Sequence, residues 1–170
     1  MPSLVDLARA PTSSFEPTDA HAVLPRFVGA WRGTTRLWLD ADGDPEQSTT
    51  ELSAELILGG RWLRLEYRGT ACGEPHAGEM LIGFHKDGAE YQLAWIDSFH
   101  TASGIMLFTG PHAGGDVVNV LGSYTAGGQR WGWRNVLRRL SPGELAIESF
   151  NISPEGQESK AIATLLTPSS

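Results

Sequence analysis

Residues 50–68 read TELSAELILGGRWLRLEYR, and this stretch decides the fold class. In 50–58 the apolar residues alternate with Glu and Ser, and in 61–68 they alternate with Arg and Glu. A period of two is typical of a β-strand with one buried face and one wet face. The Gly59-Gly60 pair between the two segments is typical of a tight turn. The stretch therefore predicts two antiparallel strands joined as a hairpin.

The same pattern continues along the chain, because nine breaks separate short segments rich in Val, Ile, Leu, Trp, Tyr and Thr. The breaks are Asp42-Gly43, Gly59-Gly60, the stretch around Gly73, Asp87-Gly88, Phe99 to Ser103, Gly114-Gly115, Gly127-Gly128, Pro142-Gly143 and Pro154 to Gly156. They predict ten strands, at roughly 30–39, 50–58, 61–69, 78–86, 90–98, 104–110, 117–125, 131–140, 144–152 and 158–166. Most breaks are too short to hide a helix, which favours an all-β, ten-stranded antiparallel up-and-down barrel over alternating strands and helices. A two-sheet sandwich is the main alternative, since it has the same alternation.

The segment before the first strand differs from the rest. Residues 1–17 are polar, contain three prolines and predict an N-terminal tail. Residues 20–29, AHAVLPRFVG, predict a short helical plug across one barrel end, and Pro25 favours two short turns over one clean helix. Residues 18–168 are then expected to form one domain.

Composition narrows the functional classes. The chain has 170 residues, 41% of them hydrophobic, and a formal net charge of -7, so a nucleic-acid backbone is not an expected partner. No stretch approaches the ~18 apolar residues of a membrane helix, so no membrane partner is expected. The start of the chain lacks an apolar leader, and the single Cys72 cannot form an internal disulfide. These features predict a cytoplasmic protein.

Some polar residues fall on the faces that the apolar pattern assigns to the interior. They are Asp97, Asn119, Asn135 and Ser149. On the strand that contains Asn119, the apolar Leu121 is assigned to the same interior face. An unpaired polar group in a solid core costs on the order of 1–3 kcal/mol. A cavity with a few directed polar groups tolerates them. The pattern favours a ligand cavity over the alternative that these residues sit wet at the barrel rim.

Several segments resemble a known family. Gly29-Ala30-Trp31 is similar to the Gly-x-Trp opening of lipocalin-like barrels, and the ordered set that follows comprises LILGGRWLRLEYRGT, GEMLIGFHKDGAEYQLAWIDSF and YTAGGQRWGWRNVLRRLSPGELAIESF. Together they resemble the domain of unknown function 1579 family, small bacterial calycin-like proteins, over about residues 19–166. The resemblance implies a lipocalin-like or fatty-acid-binding-like barrel. It implies no particular activity.

The sharpest local cluster is Asp97-Ser98-Phe99-His100, at the end of the fifth predicted strand. A histidine beside a carboxylate at a barrel mouth can act as a general acid/base or hold a polar head group. The alternative is a turn-forming Asp97 that binds nearby backbone amides, with His100 exposed in the loop. Aromatic residues with polar tips suit the walls of such a cavity. The candidate ligand-binding residues are Tyr67, Trp95, Asp97, His100, Met106, Trp133 and Asn135.

The five histidines are dispersed, with no His-x-His, His-Glu-x-x-His or cysteine pair, so the spacing predicts no metal site and no cofactor. Some barrels related by the resemblance bind haem through one histidine, which keeps haem as an alternative. Each histidine here is expected in a loop, at a strand end or before the barrel, with His76 in the Gly73 loop.

The first functional hypothesis is a module that binds a small apolar or amphipathic molecule inside the barrel. The alternatives are a cyclase- or isomerase-type enzyme that uses Asp97 and His100 as acid/base groups, a haem-binding barrel, and an interaction protein with a filled core. Outward Trp38 and Trp62 suggest a homodimer as a further alternative.

Overall fold

The computed structural model describes residues 16–101 and 103–169. Residues 1–15 of the expected tail lie outside the described residues. A 3₁₀ helix at His21–Phe27 comes first, and ten strands follow. They are β1 Gly29–Leu37, β2 Glu46–Ile57, β3 Trp62–Ala71, β4 Glu74–His85, β5 Glu90–Asp97, β6 Met106–Pro111, β7 Val117–Ala126, β8 Gln129–Ser141, β9 Glu144–Ile152 and β10 Glu158–Pro168.

Every strand pairs antiparallel with its neighbours in sequence, and β1 also pairs with β10, from Trp31↔Pro168 to Leu37↔Ile162. The sheet is therefore a closed barrel, which confirms the ten-stranded prediction and rules out the sandwich. Closure removes the free edges at which an open sheet would pair with other chains.

The turn between β3 and β4 is shorter than the sequence suggested. It contains only Cys72 and Gly73, both with positive φ (52° and 76°), as a two-residue hairpin turn requires. The carboxylate of Glu46 accepts both of their backbone N–H groups, at 3.0 and 3.3 Å. The expectation of a longer loop here was wrong, and β4 consequently begins early enough to include His76.

The helical plug closes one end of the barrel. It is one continuous 3₁₀ helix that contains Pro25, so the expectation of two separate turns was wrong. Leu24 and Phe27 are fully buried, and the indole Nε1 of Trp31 donates to the Phe27 carbonyl at 3.0 Å. The Tyr91 hydroxyl donates to the Ala20 carbonyl at 2.9 Å and joins the plug to β5. At seven residues, the helix found in the described ranges is too short to cross a membrane.

The inward face of β7 also differs from the prediction. Val118 and Val120 are buried, whereas Leu121 is 52% exposed and Asn119 is also exposed. The assignment of Leu121 and Asn119 to the interior was wrong because β7 carries apolar residues on both faces. Phe108, Gly122 and Trp133 are side by side on β6, β7 and β8. A Cβ on Gly122 would lie 2.6 Å from the Phe108 ring, so the ring occupies the space that a side chain would need.

Candidate functional site

The end of the barrel opposite the plug has a polar interior. Asp97 ends β5 there, and its side chain is completely buried. Asn135 and Ser149 are buried on the facing wall, in β8 and β9. Thr35, from β1, lies between Thr50 and Thr164 of the two neighbouring strands, with Oγ1–Oγ1 distances of 2.6 and 2.8 Å. Several strands thus contribute polar side chains to one region.

Asp97 is held beside Tyr67 by a glycine between them. Tyr67, Gly78 and Asp97 are register partners on β3, β4 and β5. A Cβ on Gly78 would overlap the Tyr67 hydroxyl, so only glycine lets the ring cross β4. The Tyr67 hydroxyl donates to Asp97 Oδ2, and the Trp95 Nε1 donates to the same hydroxyl at 2.7 Å.

The other carboxylate oxygen organises the connection after β5. Asp97 Oδ1 accepts from the backbone N–H of Phe99 at 2.7 Å and of His100 at 2.6 Å. It also lies 3.1 Å from His100 Nδ1. The Thr101 hydroxyl accepts from the Asp97 N–H and donates to the Asp97 carbonyl, at 2.8 and 2.9 Å. The sequence offered two alternatives for Asp97, a turn-forming residue or a partner of His100, and in the structure Asp97 has both roles. His100 is largely buried and is not exposed in the loop.

His76 approaches the same carboxylate from β4, with Nε2 3.5 Å from Asp97 Oδ2. The ring centroids of His76 and His100 are 6.4 Å apart. Neither His76 Nδ1 nor His100 Nε2 has solvent exposure or a hydrogen-bond partner. The two imidazoles therefore flank one carboxylate, and each keeps one nitrogen unused.

The charge states follow from these contacts. Burial opposes ionisation of Asp97, but hydrogen bonds from His100 and Tyr67 and from the His100 backbone outweigh it and hold the pKa of Asp97 well below its usual range. Burial lowers the pKa of His76 and outweighs the opposing effect of Asp97. Burial, reinforced by Asp97, raises the pKa of Tyr67. At neutral pH the site contains an ionised Asp97, a neutral His76 and a protonated Tyr67.

A cavity of about 50 Å³ lies against this cluster. Its lining includes Tyr67, His76, Trp95, Asp97 and His100. The remaining polar lining residues are Thr35, Thr50, Thr70, Ser149 and Thr164. At the ~30 Å³ that a water molecule takes up in the liquid, a space of this size has room for about two water molecules.

A larger space, of about 890 Å³, lies along the outer wall and is open to solvent. Apart from the buried Asp97, its charged lining residues are partly or fully exposed, and Arg68 donates to Glu51 at 2.6 and 2.8 Å. Cross-strand charge pairs of this kind are ordinary on a solvated sheet face. The buried polar cluster therefore defines the candidate site, although the outer groove is larger.

Comparisons with known proteins agree with the fold. The family model described as protein of unknown function (DUF1579) matches residues 16–167. This chain belongs to that family. A search of the curated proteins found no match for this family member.

Two solved structures show the same architecture. The crystal structure of Rv2717c from M. tuberculosis is similar with a TM-score of 0.62 at 15% identity, covering 91% of this chain and 100% of that one. The S-type phycobiliprotein lyase CPES from Guillardia theta is similar with a TM-score of 0.55 at 11% identity, covering 99% of both chains. At these identities the likeness concerns the fold.

The structure brings most of the predicted site residues of this DUF1579 member together. Tyr67, Trp95, Asp97 and His100 line the cavity. Trp133 stands behind them, with its ring centroid 5.7 Å from that of Trp95 and 5.6 Å from that of His100. The remaining two predicted residues, Asn135 and Met106, are not among the residues that line the cavity. Asn135 accepts from Trp133 Nε1 at 3.1 Å and from the Ser149 hydroxyl at 2.6 Å, and Met106 lies opposite Trp95 on β6.

His76 is the ionisable site residue that the sequence analysis missed, and Thr50 and Thr164 of the cavity lining were not singled out either. His76 was expected in a loop, but it lies on the inward face of β4, two residues before Gly78 and four before Met80. Extending the alternation of β4 back to the Cys72-Gly73 turn would have found it. That extension depends on recognising the turn as two residues long.

The residues present do not fit a haem. His76 and His100 each have an unused nitrogen, which is the kind of donor that haem iron needs. The adjoining cavity of about 50 Å³ is far smaller than the roughly 300–1,000 Å³ of sites for drug-sized ligands, and a porphyrin is at least of that size.

Proposed function

We propose that this protein binds a small amphipathic molecule, with its polar end in the cavity beside Asp97, His76 and His100. One observation carries the proposal: two buried imidazole nitrogens next to a cavity have no hydrogen-bond partner. A buried polar atom without a partner costs about 1–3 kcal/mol unless water or a ligand satisfies it. Asp97, Tyr67 and Trp95 are paired with one another, so they do not occupy these nitrogens, which are available to a ligand. The buried Nδ2 of the nearby Asn135 also lacks a partner.

The walls suit the apolar part of such a molecule. Leu65, Met80 and Trp95 line the cavity and are 0%, 5% and 1% exposed, and Trp133 packs behind Trp95. A ligand of more than a few heavy atoms enters only if side chains move. Met106 is partly buried, and its unbranched, flexible side chain can adapt to such a ligand.

The first test is native mass spectrometry of the purified protein, which would detect a co-purifying molecule and count the subunits. The subunit count also tests a further part of the proposal, a homodimer to which the partly exposed Trp38 and Trp62 contribute. We propose in addition that the protein, with its one free thiol at Cys72, is cytoplasmic. A fluorescence titration of the tryptophans with small alcohols complements the mass spectrometry, because Trp95 lines the cavity. Absence of any ligand and of any fluorescence change would contradict the binding function.

A cavity-filling variant tests the location of the site. Ala71 lines the cavity and is 3% exposed, so Ala71→Leu should fill the space and lower ligand affinity at least ~10-fold. Ala126→Leu, on an exposed position at the end of β7, is the matched control and should leave affinity unchanged. Unchanged affinity in a folded Ala71→Leu protein would locate the site elsewhere.

An enzymatic function is the second candidate, and the Asp97–His100 geometry favours it. Asp97 Oδ1 accepts from His100 Nδ1 at 3.1 Å and leaves Nε2 unused beside the cavity. A carboxylate orients a general-base histidine in this way in hydrolytic triads. If the bound molecule is chemically converted on incubation, His100→Gln should abolish the conversion and keep binding within ~10-fold. Conversion at an unchanged rate in His100→Gln would remove this candidate.

A further inference from the structure

We infer that the head group bound in the cavity is a hydrogen-bond donor without negative charge, such as an alcohol or an amine, and that His76, together with the neutral form of His100, accepts its hydrogen bonds. This inference rests on the proposed binding function and adds the chemical class of the ligand.

The carboxylate of Asp97 determines which nitrogen of each histidine carries the proton. His100 Nδ1 lies 3.1 Å from one oxygen of an ionised carboxylate, and His76 Nε2 lies 3.5 Å from the other. A lone pair facing a carboxylate would be repelled, so each of these nitrogens carries the proton. Because His76 is neutral, its opposite nitrogen, Nδ1, is then an acceptor. His100 Nε2 is an acceptor in the neutral form of that ring. Both are buried without a donor, and an incoming group has to supply one.

The charge of the lining excludes an anion. The ionisable residues in the lining are Tyr67, His76, Asp97 and His100, with no Lys or Arg. Because Asp97 is ionised and His76 is neutral, this set cannot carry a net positive charge at neutral pH, whichever state His100 adopts. A carboxylate or phosphate head group would lose its hydration without a cation in return.

The threonine cluster on the other wall completes the match. Thr35 bonds to Thr50 and Thr164, so three hydroxyls share two hydrogen bonds. These bonds use two of the three hydroxyl protons, and one proton and several lone pairs are left for a further partner. An alcohol can donate to a histidine and accept from this cluster. An ammonium group can donate to both walls.

A metal ion is a poorer match for the same residues. The unused nitrogens are on the sides of the two rings that point away from their shared carboxylate. Within 16–101 and 103–169, no three His, Cys, Asp or Glu side chains form a group that could hold a metal ion.

The test compares four probes of similar size by NMR titration of the histidine and Trp95 indole resonances. They are 1-pentanol, its isomer butyl methyl ether, pentylamine and pentanoate. The ether accepts hydrogen bonds but cannot donate them, and pentanoate carries the negative charge. We expect 1-pentanol and pentylamine to bind at least ~10-fold more tightly than the ether and pentanoate, a difference of about 1.4 kcal/mol.

The outcomes separate this inference from the proposed function. If pentanoate or the ether binds as tightly as 1-pentanol, the donor inference is overturned and the binding function stands. If none of the four binds, both are overturned.

A pair of variants assigns the preference to His76. His76→Phe keeps a ring but removes the acceptor, and it should reduce the preference for 1-pentanol over the ether to below ~3-fold. His85→Phe, at an exposed position of the same strand, should leave the preference unchanged. An undiminished preference in folded His76→Phe would overturn the role of His76. If that variant fails to fold, ¹⁵N spectra of the wild-type imidazoles decide, because a proton on His76 Nδ1 contradicts the inference.

Discussion

The two halves of the barrel interior have the same walls but different contents. The plugged half contains large apolar side chains, such as Leu24, Phe27 and Leu145, that are completely buried. The opposite half contains Asp97, Asn135, Ser149 and the hydrogen-bonded threonines Thr35, Thr50 and Thr164 around a cavity. Both halves belong to the same closed sheet of ten antiparallel strands.

This difference separates stability from recognition. Close-packed apolar side chains supply most of the free energy of folding and tolerate little change. Buried polar groups contribute less net stability, but they define which molecule can bind. We therefore expect changes in the plugged half to act mainly on unfolding, and changes in the polar half to act mainly on ligand binding.

The largest expected effect is in the plugged half. Leu145→Ala removes a completely buried side chain of β9, and the cavity left behind should lower the free energy of unfolding by about 3–5 kcal/mol. Urea unfolding followed by tryptophan fluorescence measures this loss. Leu165→Ala, on the outer face of β10 with 48% exposure, is the control and should change stability by under about 1 kcal/mol. Equal losses in the two variants would mean that the plugged half is not the stabilising core.

Asp97 is the exception in the polar half, since it both orders a turn and holds the site. In Asp97→Asn the amide would face the Tyr67 hydroxyl, which then loses its acceptor. We expect a loss of about 2–3 kcal/mol in the free energy of unfolding. Asp87→Asn in the exposed β4–β5 turn is the matched control. A loss below about 0.5 kcal/mol would show that the hydrogen bonds to Asp97 are dispensable.

The dependence of the free energy of unfolding on acid pH should also reveal the contribution of Asp97. Because the pKa of Asp97 is lower in the folded protein than the ~3.9 of an unfolded chain, its contribution is present above that pH. It is lost progressively as the pH falls through the unfolded value toward the folded one. Wild-type stability should therefore fall more steeply than that of Asp97→Asn below about pH 5. Parallel curves of unfolding free energy against pH would contradict this assignment.

A smaller effect is expected where the plug is attached. Tyr91→Phe removes the hydrogen bond to the Ala20 carbonyl and the 3.0 Å contact with His112 Nδ1. The loss should be about 1 kcal/mol and should be local. Hydrogen exchange would show faster exchange at the amides of Ala22 and Val23, with the strands unchanged. Tyr124→Phe, at the other end of the barrel, should leave plug exchange as it is.

The smallest effect on stability is expected at the threonine cluster. Thr35→Val keeps the shape and removes the central hydroxyl. The free energy of unfolding should change by under about 1 kcal/mol, because the Thr50 and Thr164 hydroxyls border a cavity in which water can replace the lost partner. Affinity for 1-pentanol should nevertheless fall ~3–10-fold. Thr34→Val, the exposed neighbour on β1, should change neither quantity. If Thr35→Val lost much stability but kept full affinity for 1-pentanol, the polar half would serve stability and not ligand binding, contrary to our expectation.

The amount that the sequence predicts varies from strand to strand. β2 and β3 were assigned correctly because apolar residues occupy one face of each. β7 was assigned to the wrong face because Val117, Val118, Val120 and Leu121 give both faces apolar residues. There, the decision came from Gly122, which must be inside because the ring of Phe108 lies over it.

For the candidate site too, the sequence predicts contacts between residues that are near in the chain, but not contacts that depend on strand pairing. Asp97 and His100 are three residues apart, and their pairing could be predicted from the sequence. His76 is 21 residues before Asp97 and meets it because β4 and β5 are hairpin neighbours with Gly78 opposite Asp97. The Thr35–Thr164 contact depends on closure between β1 and β10.

The sequence by itself determined the number of strands, their direction and, for most of them, which face is apolar. These features follow from a local period of two and from turn residues, which act over a few positions. Only the tertiary structure decided that the barrel closes, that one half is packed and the other polar, and that two histidines share Asp97. Those outcomes depend on strand register and closure, which are properties of the whole sheet.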